Sequence, residues 1–242
     1  MSIDLEKYET QKSAVKINLA KKGINRPPIM RVAAAFDVSF SAKKIYACGD
    51  FEAAACRLIA IAGVFDDNGE MDAWSFDDSF DRLETAKVND YGRYVQDQIL
   101  HNSSIHKWGG TKYAPVMGDM LKFFFEPHVE KKGGFLGFGS KNVTVAPENV
   151  DVPVLAMFIT DGANMDHAET ERLLRASANR PIYWSLVGVG PDVSEFKFLQ
   201  KMADELPNAG FFNLASLDIS DADLYDQLIC DELIEFVGKF HK

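Results

Sequence analysis

Two short apolar runs that each end abruptly at an aspartate constrain the fold of this chain more than any other feature. One covers residues 31–36 and ends at Asp37, and the other covers residues 152–160 and ends at Asp161. Runs of this length predict strands that are buried on both faces of a sheet and open into polar loops. We therefore expect both strands near the centre of a sheet, with a carboxylate following each.

Helical and extended patterns alternate along the rest of the chain. Apolar periodicity and capping signals predict helices over residues 3–22, 45–63, 90–100, 114–125, 168–178, 195–206 and 222–237, and further strands over residues 71–76, 80–85, 182–189 and 211–214. A short turn joins the first two of these strands, which predicts a hairpin. The alternation implies an α/β fold in which helices flank a doubly wound, mostly parallel sheet.

The length and composition of the chain fit one main domain. Its 242 residues are 47% hydrophobic and 26% charged, and no linker rich in proline, serine or glycine separates two halves. We expect an N-terminal helical extension over residues 1–28, packed on a main domain over residues 29–242. An insert is expected at about residues 127–150, where a stretch rich in glycine and phenylalanine, 133–139, has no period of either kind.

The charge and cysteine content disfavour several classes of protein. A formal net charge of −10 argues against binding nucleic acid or anionic membranes. No apolar stretch approaches the roughly 20 residues of a membrane helix, and the acidic N-terminus is unlike a secretory signal. Cys48 and Cys56 lie too far apart on one predicted helix to bridge, which fits a reducing compartment. We therefore expect a soluble, cytoplasmic protein without membrane insertion.

The loop after the first central strand has the pattern D-x-S-x-S, formed by Asp37, Ser39 and Ser41. Alternate residues of an extended turn can direct their oxygens towards one point. If the strand order is 3-2-1-4-5-6, the order reverses between the strands that end at Asp37 and Asp161, and ligands bind at such a point. Two carboxylates and two hydroxyls suit Mg²⁺, Mn²⁺ or Ca²⁺ and do not suit zinc or copper.

Together with Thr111 and Asp161, this pattern resembles the metal-ion-dependent adhesion site (MIDAS) of von Willebrand factor A (vWA) domains. That site combines D-x-S-x-S with a threonine from a second loop and an aspartate from a third, and all three occur here in order. The resemblance covers about residues 30–240 and implies a six-stranded vWA-like sheet of order 3-2-1-4-5-6 with one antiparallel edge strand. It implies that the residues holding the metal, directly or through water, are Asp37, Ser39, Ser41, Thr111 and Asp161.

The first loop departs from the family pattern at two positions. The glycine between the two serines is Phe40 here, and the methionine or serine that often follows the second serine is Ala42. We expect the metal geometry to be kept. The bulky ring of Phe40 should stand near the mouth of the site and change the shape that a partner must have.

The start of the domain looks like that of the bacterial TerF-like branch found in tellurium-resistance proteins, because Leu19, Lys21, Lys22 and Gly23 precede a proline pair and the first strand. This resemblance implies a cytoplasmic role in tellurite resistance or stress response. We expect a non-enzymatic module whose metal, Mg²⁺ or else Mn²⁺ or Ca²⁺, captures a protein partner through a carboxylate or another anionic oxygen.

An enzymatic alternative is a metal-dependent phosphohydrolase with Asp37 as nucleophile and Asp161 as metal ligand. Such enzymes generally need a second carboxylate two residues after the nucleophile, and that position is Ser39 here.

The histidines lie on separate predicted elements, and we expect them at the surface or in caps: His101, His106, His128, His167 and His241. The acidic cluster at 66–72 lacks the ligands of a calcium loop, and we expect a turn there.

Overall fold

The structure, a computed structural model, describes residues 2–132, 141–145, 147, 152–214 and 219–240. Its strands are β1 (Arg31–Asp37), β2 (Met71–Phe76), β3 (Phe80–Arg82), β4 (His128–Lys132), β5 (Lys141–Val145), β6 (Val154–Thr160), β7 (Ile182–Val189) and β8 (Ala209–Leu214). Six of them form one sheet in the order β3-β2-β1-β6-β7-β8. The β2–β3 pair is antiparallel and the other pairs of this sheet are parallel. The predicted order 3-2-1-4-5-6, counted over these six strands, is confirmed.

Helices cover both faces of this sheet. They are α1 (Ser2–Lys21), α2 (Lys43–Cys48), α3 (Asp50–Phe65), α4 (Ala114–Phe125), α5 (His167–Ala176), α6 (Lys197–Glu205), α7 (Asp221–Leu228) and α8 (Asp231–Gly238). Alternate residues of β1 divide between the two apolar cores: Val32, Ala34 and Phe36 face α1, α3, α7 and α8, while Ala33 and Ala35 face α4 and α6. Within the described ranges, no helix is both long and apolar enough to cross a membrane.

The N-terminal helix α1 packs on one of these helical layers. Its side chains Tyr8, Val15 and Leu19 are buried in the same core as α3 and α7. Gln11, which is 2% exposed, accepts a hydrogen bond from the hydroxyl of Tyr91 at 2.8 Å. The helix is therefore docked on the sheet-bearing part of the chain, while the boundary at residue 28 stays a prediction.

The helix predicted over residues 45–63 is divided into α2 and α3. Gly49 lies between them with a φ of 80°, and its amide donates to the carbonyl of Tyr46 at 3.1 Å. Left-handed backbone of this kind ends a helix and is accessible to glycine at little cost. The prediction that Cys48 and Cys56 share one helix was therefore wrong, since Cys48 ends α2 and Cys56 lies in α3.

The C-terminal helix predicted over residues 222–237 is also divided, into α7 and α8. The predicted cap of α7 is present, because Ser220 Oγ accepts a hydrogen bond from the amide of Asp223 at 3.1 Å. A second cap follows within the predicted helix, where Cys230 Sγ accepts from the amide of Leu233 at 3.4 Å. Apolar periodicity continues across both helices, so it does not reveal this break.

Some other predicted elements are shorter or different. The strand predicted over residues 80–85 ends at Arg82, and the helix predicted over residues 90–100 consists of a 3₁₀ turn, Val88–Asp90, and a π-helical turn, Gln96–Leu100. The predicted insert contains the antiparallel pair β4–β5, consistent with the β-branched residues at 143–145. The stretch at 133–139 lies outside the described residues.

Replacing Gly49 and Gly118 by alanine should change the free energy of unfolding in opposite directions. We expect Gly49→Ala to lower the free energy of unfolding by about 1 kcal/mol, because alanine is strained at this positive φ. Gly118 lies inside α4, and a Cβ there would meet Leu173 Cδ1 at 3.6 Å, an ordinary contact. Gly118→Ala should therefore raise stability by about 0.5–1 kcal/mol. Urea denaturation measures both, and a Gly49→Ala variant that is as stable as the unchanged chain, or more stable, would contradict the assigned break at Gly49.

Candidate metal centre

The pairing of β1 with β6 brings the two sequence-predicted carboxylates to one edge of the sheet. Phe36 pairs with Ile159, so Asp37 and Thr160 are neighbours at the carboxyl ends of the two strands, and Asp161 follows directly. The hydroxyl of Thr160 donates to Asp37 Oδ2 at 2.6 Å. The reversal of strand order therefore lies where the sequence predicts a ligand site.

The D-x-S-x-S loop connects these two carboxylates through a chain of hydrogen bonds. The amide of Ser39 donates to Asp37 Oδ1 at 2.8 Å, which turns the loop back over the strand end. Ser39 Oγ lies 3.1 Å from Ser41 Oγ, and Ser41 Oγ donates to Asp161 Oδ1 at 3.0 Å. Four of the five predicted ligand residues therefore form one connected group.

The fifth predicted residue, Thr111, lies on a second loop that is hydrogen-bonded to the loop after β1 and to the loop after β6. The carbonyl of Gly109 accepts from the amide of Phe40 at 3.0 Å, and the carbonyl of Thr111 accepts from the amide of Met165 at 2.9 Å. Thr111 lines the same surface depression as Ser39 and Ser41. The three predicted loops therefore converge, as the sequence analysis required, while the role of each residue as a ligand stays a prediction.

Trp108 directs the chain into this second loop with an unusual backbone conformation. Its φ is 72°, a left-handed value that is uncommon for a bulky residue, and its amide donates to the carbonyl of Val38 at 2.7 Å. The indole ring packs edge-on against the ring of Tyr46, with centroids 5.7 Å apart. Backbone strain of this kind is found at functional sites, where surrounding contacts maintain it.

The electrostatics of the two carboxylates fit a cation. Asp37 is fully buried, and burial together with the neighbouring charge of Asp161 raises the pKa of Asp37 to about 6, despite hydrogen bonds from Ser39 and Thr160. Burial also raises the pKa of Asp161. Within the described part of the chain, no basic side chain is among the largest causes of either shift. A bound divalent ion would supply the positive charge that this pair lacks.

Tyr46 is a buried neighbour of this site that the sequence analysis did not identify. Its side chain is 5% exposed, and among the described residues its hydroxyl has no hydrogen-bond partner. Burial raises the pKa of Tyr46 well above its ordinary value, and the charges of Asp37 and Asp161 add to the effect. A buried hydroxyl without a hydrogen-bond partner is costly, and the charges of both carboxylates act on this one.

Asp166, which is half-buried, is another residue near the site that the sequence did not predict. It fixes the third loop to the start of α4. Its Oδ1 accepts from the amide of Tyr113 at 3.0 Å, and its Oδ2 accepts from the amide of Ala114 at 2.8 Å. Asn164, in the same loop, donates to Asp166 Oδ1 at 2.7 Å. Asp166 thereby satisfies amides at the N-terminus of a helix far away in sequence, for which no local signal exists.

A separate group of side chains near the second loop could also hold a metal ion. Nδ1 of His106 lies 2.7 Å from Asp77 Oδ2 and 3.6 Å from Asp78 Oδ1, and the three possible ligand atoms lie within 4.8 Å of one another. The sequence predicts His106 at the surface or in a cap. It is exposed, but the end of β2 brings two aspartates to it, and spacing along the chain did not reveal this.

Comparison with known proteins shows the family. The family described as "vWA-TerF-like: vWA found in TerF C terminus" matches residues 29–132 and 141–239. The protein YcbR of Bacillus subtilis (strain 168) is 32% identical over 228 residues, which are 92% of this chain and 84% of YcbR. The match therefore extends over nearly the whole of both proteins.

Solved structures show the same fold at low sequence identity. A von Willebrand factor type A protein from Catenulispora acidiphila has 14% identity and a TM-score of 0.56 over 85% of this chain and 43% of its own. Proximal thread matrix protein 1 of the mussel byssus, with a zinc-occupied MIDAS motif, has 14% identity and a TM-score of 0.54 over 84% of this chain and 48% of its own. This chain spans less than half the length of both structures. Taken with the match to the family, the fold and the loop geometry show that the chain belongs to the vWA-TerF-like family of von Willebrand factor A domains.

Proposed function

We propose that this chain is a divalent-metal-dependent protein-binding module whose metal is held by Asp37, Ser39, Ser41, Thr111 and Asp161. The observation that carries the proposal is the pair of carboxylates, Asp37 and Asp161. They are joined through the Ser39 amide and the hydroxyls of Ser39 and Ser41, and no basic side chain of the described residues is among the largest causes of their raised pKa values. Carboxylate pairs in such surroundings are costly unless a cation joins them.

The residues of the site would play different parts in coordinating the ion. Hydroxyl oxygens of Ser39, Ser41 and Thr111 are candidate direct ligands, and the carboxylates supply negative charge directly or through water. An all-oxygen set favours Mg²⁺, Mn²⁺ or Ca²⁺. The zinc in the mussel protein supports a divalent ion at this place in the fold. Tyr46, whose buried hydroxyl has no hydrogen-bond partner among the described residues, is a candidate donor to a group bound near the two carboxylates.

A metal held in this way gives a protein of net charge −10 one local point of attraction for anions. When bound, the ion supplies a Lewis-acidic centre that a carboxylate or other anionic oxygen of a partner can coordinate. The serine and threonine side chains lie in an open depression, so a partner can reach the ion from solvent. Protein capture, which is common among vWA domains, fits this arrangement and requires no chemical turnover.

The group of Asp77, Asp78 and His106 is a weaker candidate for the ion. Both oxygens of Asp77 already accept hydrogen bonds, Oδ1 from the amide of Ser79 at 3.0 Å and Oδ2 from the amide of Gly109 at 3.0 Å. Burial acts to raise the pKa of Asp77, but hydrogen bonds from Ser79, His106 and Gly109 bring it below its ordinary value. This carboxylate is therefore stabilised without a metal, and it supports the loop that carries Thr111.

The phosphohydrolase alternative gains no support from the site. A nucleophilic Asp37 would have to reach a phosphorus atom, but its side chain is fully buried beneath Ser39 and Thr160. Ser39, at the position where a catalytic acid and base is needed, shares a hydrogen bond with Ser41. A binding role remains the better account of these residues.

Family membership supports a biological setting for this binding activity. The resemblance to the TerF-like branch implies a link to tellurium resistance, so we propose that the chain acts in tellurite resistance or a related stress response in the bacterial cytoplasm. In a strain that lacks the gene, we expect the unchanged chain to restore growth on tellurite and Asp161→Ala to fail. Equal restoration by both would separate this biological role from the metal site.

Calorimetric titration with Mn²⁺ and Mg²⁺ tests the location of the ion. We expect the unchanged chain to bind one ion at this site and to be stabilised by about 2.7 kcal/mol at a metal concentration of 100 Kd. Asp37→Asn and Asp161→Ala should lose binding, while His106→Gln should keep it. Asp37→Asn should not lower the melting temperature of the metal-free protein, since it removes a buried charge. Loss of binding in His106→Gln alone would assign the ion to the other group.

Affinity capture from the native host tests whether the metal serves partner binding. We expect proteins retained by the immobilised chain in Mg²⁺ to be released by a chelator and to be absent with Asp161→Ala. Asp78→Asn is the matched control, because it removes an exposed carboxylate outside the proposed site. Circular dichroism must show that each variant is folded. Partners that resist the chelator and bind Asp161→Ala would contradict metal-dependent capture.

A further inference from the structure

Two large apolar side chains stand exposed at the mouth of the proposed metal site. Phe40 is 68% exposed and Met165 is 67% exposed, the highest values among the large hydrophobic side chains of the described residues. Both line the depression that contains Ser39, Ser41 and Thr111. Scattered exposed apolar residues are normal, but a pair on opposite loops of one polar site indicates a contact surface. We call Phe40 and Met165 the apolar rim.

The backbone holds the apolar rim in place before any partner arrives. The amide of Phe40 is bonded to the carbonyl of Gly109, and the amide of Met165 is bonded to the carbonyl of Thr111. Met165 also covers the second loop closely, since a Cβ on Gly110 would lie 2.6 Å from its Cε. A surface whose backbone is already ordered loses less entropy when it binds.

Lys43 places a positive charge beside the same surface. Its Nζ lies 4.5 Å from the ring centroid of Phe40 and 5.2 Å from that of Trp108, which are cation–π distances. The ammonium group is therefore held near the rim by two aromatic rings. In a chain of net charge −10, this lysine and the metal together favour an acidic group at this one place.

We propose, resting on the function proposed above, that the apolar rim selects a partner segment in which an acidic residue is flanked by apolar side chains. The carboxylate would reach the metal, and its apolar neighbours would cover Phe40 and Met165 and exclude water from the coordinated oxygen. Phe40 stands where the general vWA pattern has glycine, so the apolar rim is not part of that general pattern. A flat or wholly polar acidic segment would leave the rim exposed.

Three blocked tripeptides test the proposal on the full chain loaded with Mn²⁺. They are acetyl-Gly-Asp-Gly-amide, acetyl-Leu-Asp-Leu-amide and acetyl-Leu-Asn-Leu-amide, and water-proton relaxation reports displacement of water from the ion. We expect the second peptide to bind about tenfold more tightly than the first, through burial of apolar surface. The third should not displace water from the ion. Phe40→Ala combined with Met165→Ala should keep Mn²⁺ and Gly-Asp-Gly binding but lose the preference.

Ile29→Ala provides the matched control. Ile29 is 52% exposed and lies just before β1, at the amino-terminal end of the strand and away from the metal site at its carboxyl end. This variant should keep the preference. Equal binding of the first two peptides, or a preference that survives in the double variant, would overturn the inference while the metal site stands. Absence of Mn²⁺ binding would instead refute the proposed function. Self-association of the unchanged chain that the double variant abolishes, seen by sedimentation velocity, would assign the rim to a second copy and also overturn the inference.

Discussion

The parallel pairing of β1 with β6 is the constraint on which the rest of this structure depends. It sets Asp37 beside Thr160 and Asp161 at the end of two strands whose other residues are almost all apolar and buried. The sheet therefore forces together a fully buried carboxylate, Asp37, and a partly exposed one, Asp161. Hydrogen bonds from Ser39, Ser41 and Thr160 reduce the cost of this arrangement without removing it.

Hydrogen bonds to two further aspartates hold the three loops of the site in one arrangement. Asp77 supports the loop that carries Thr111, and Asp166 joins the third loop to the start of α4. Backbone hydrogen bonds between the loops leave little freedom for any one of them to move alone. An arrangement fixed in this way suits recognition by a surface that is ordered in advance, and not closure around a substrate.

Local signals in the sequence predicted the central strands and the first and third loops that converge at the site, and the resemblance to vWA domains supplied the strand order and Thr111. An apolar run that ends in aspartate, or the D-x-S-x-S pattern, can be read within a few residues. The breaks at Gly49 and Cys230 were missed because the apolar period continues through them. His106, Asp166 and Tyr46 were missed because their partners are distant in sequence and only folding brings them together. The cytoplasmic location and the preferred ion stay predictions.

The three loops that meet at this site begin at Asp37, Gly109 and Asp161, so the polypeptide must be synthesised through most of its length before they can meet. A nascent chain that has released β1 and β2 exposes Asp37 without Asp161 or the β6 strand that buries it. The proposed cation site therefore forms only after β1 and β6 have paired. If the proposed function holds, occupancy of the site would report that the central strands have assembled, and copies in which β1 and β6 are unpaired would not compete for a partner.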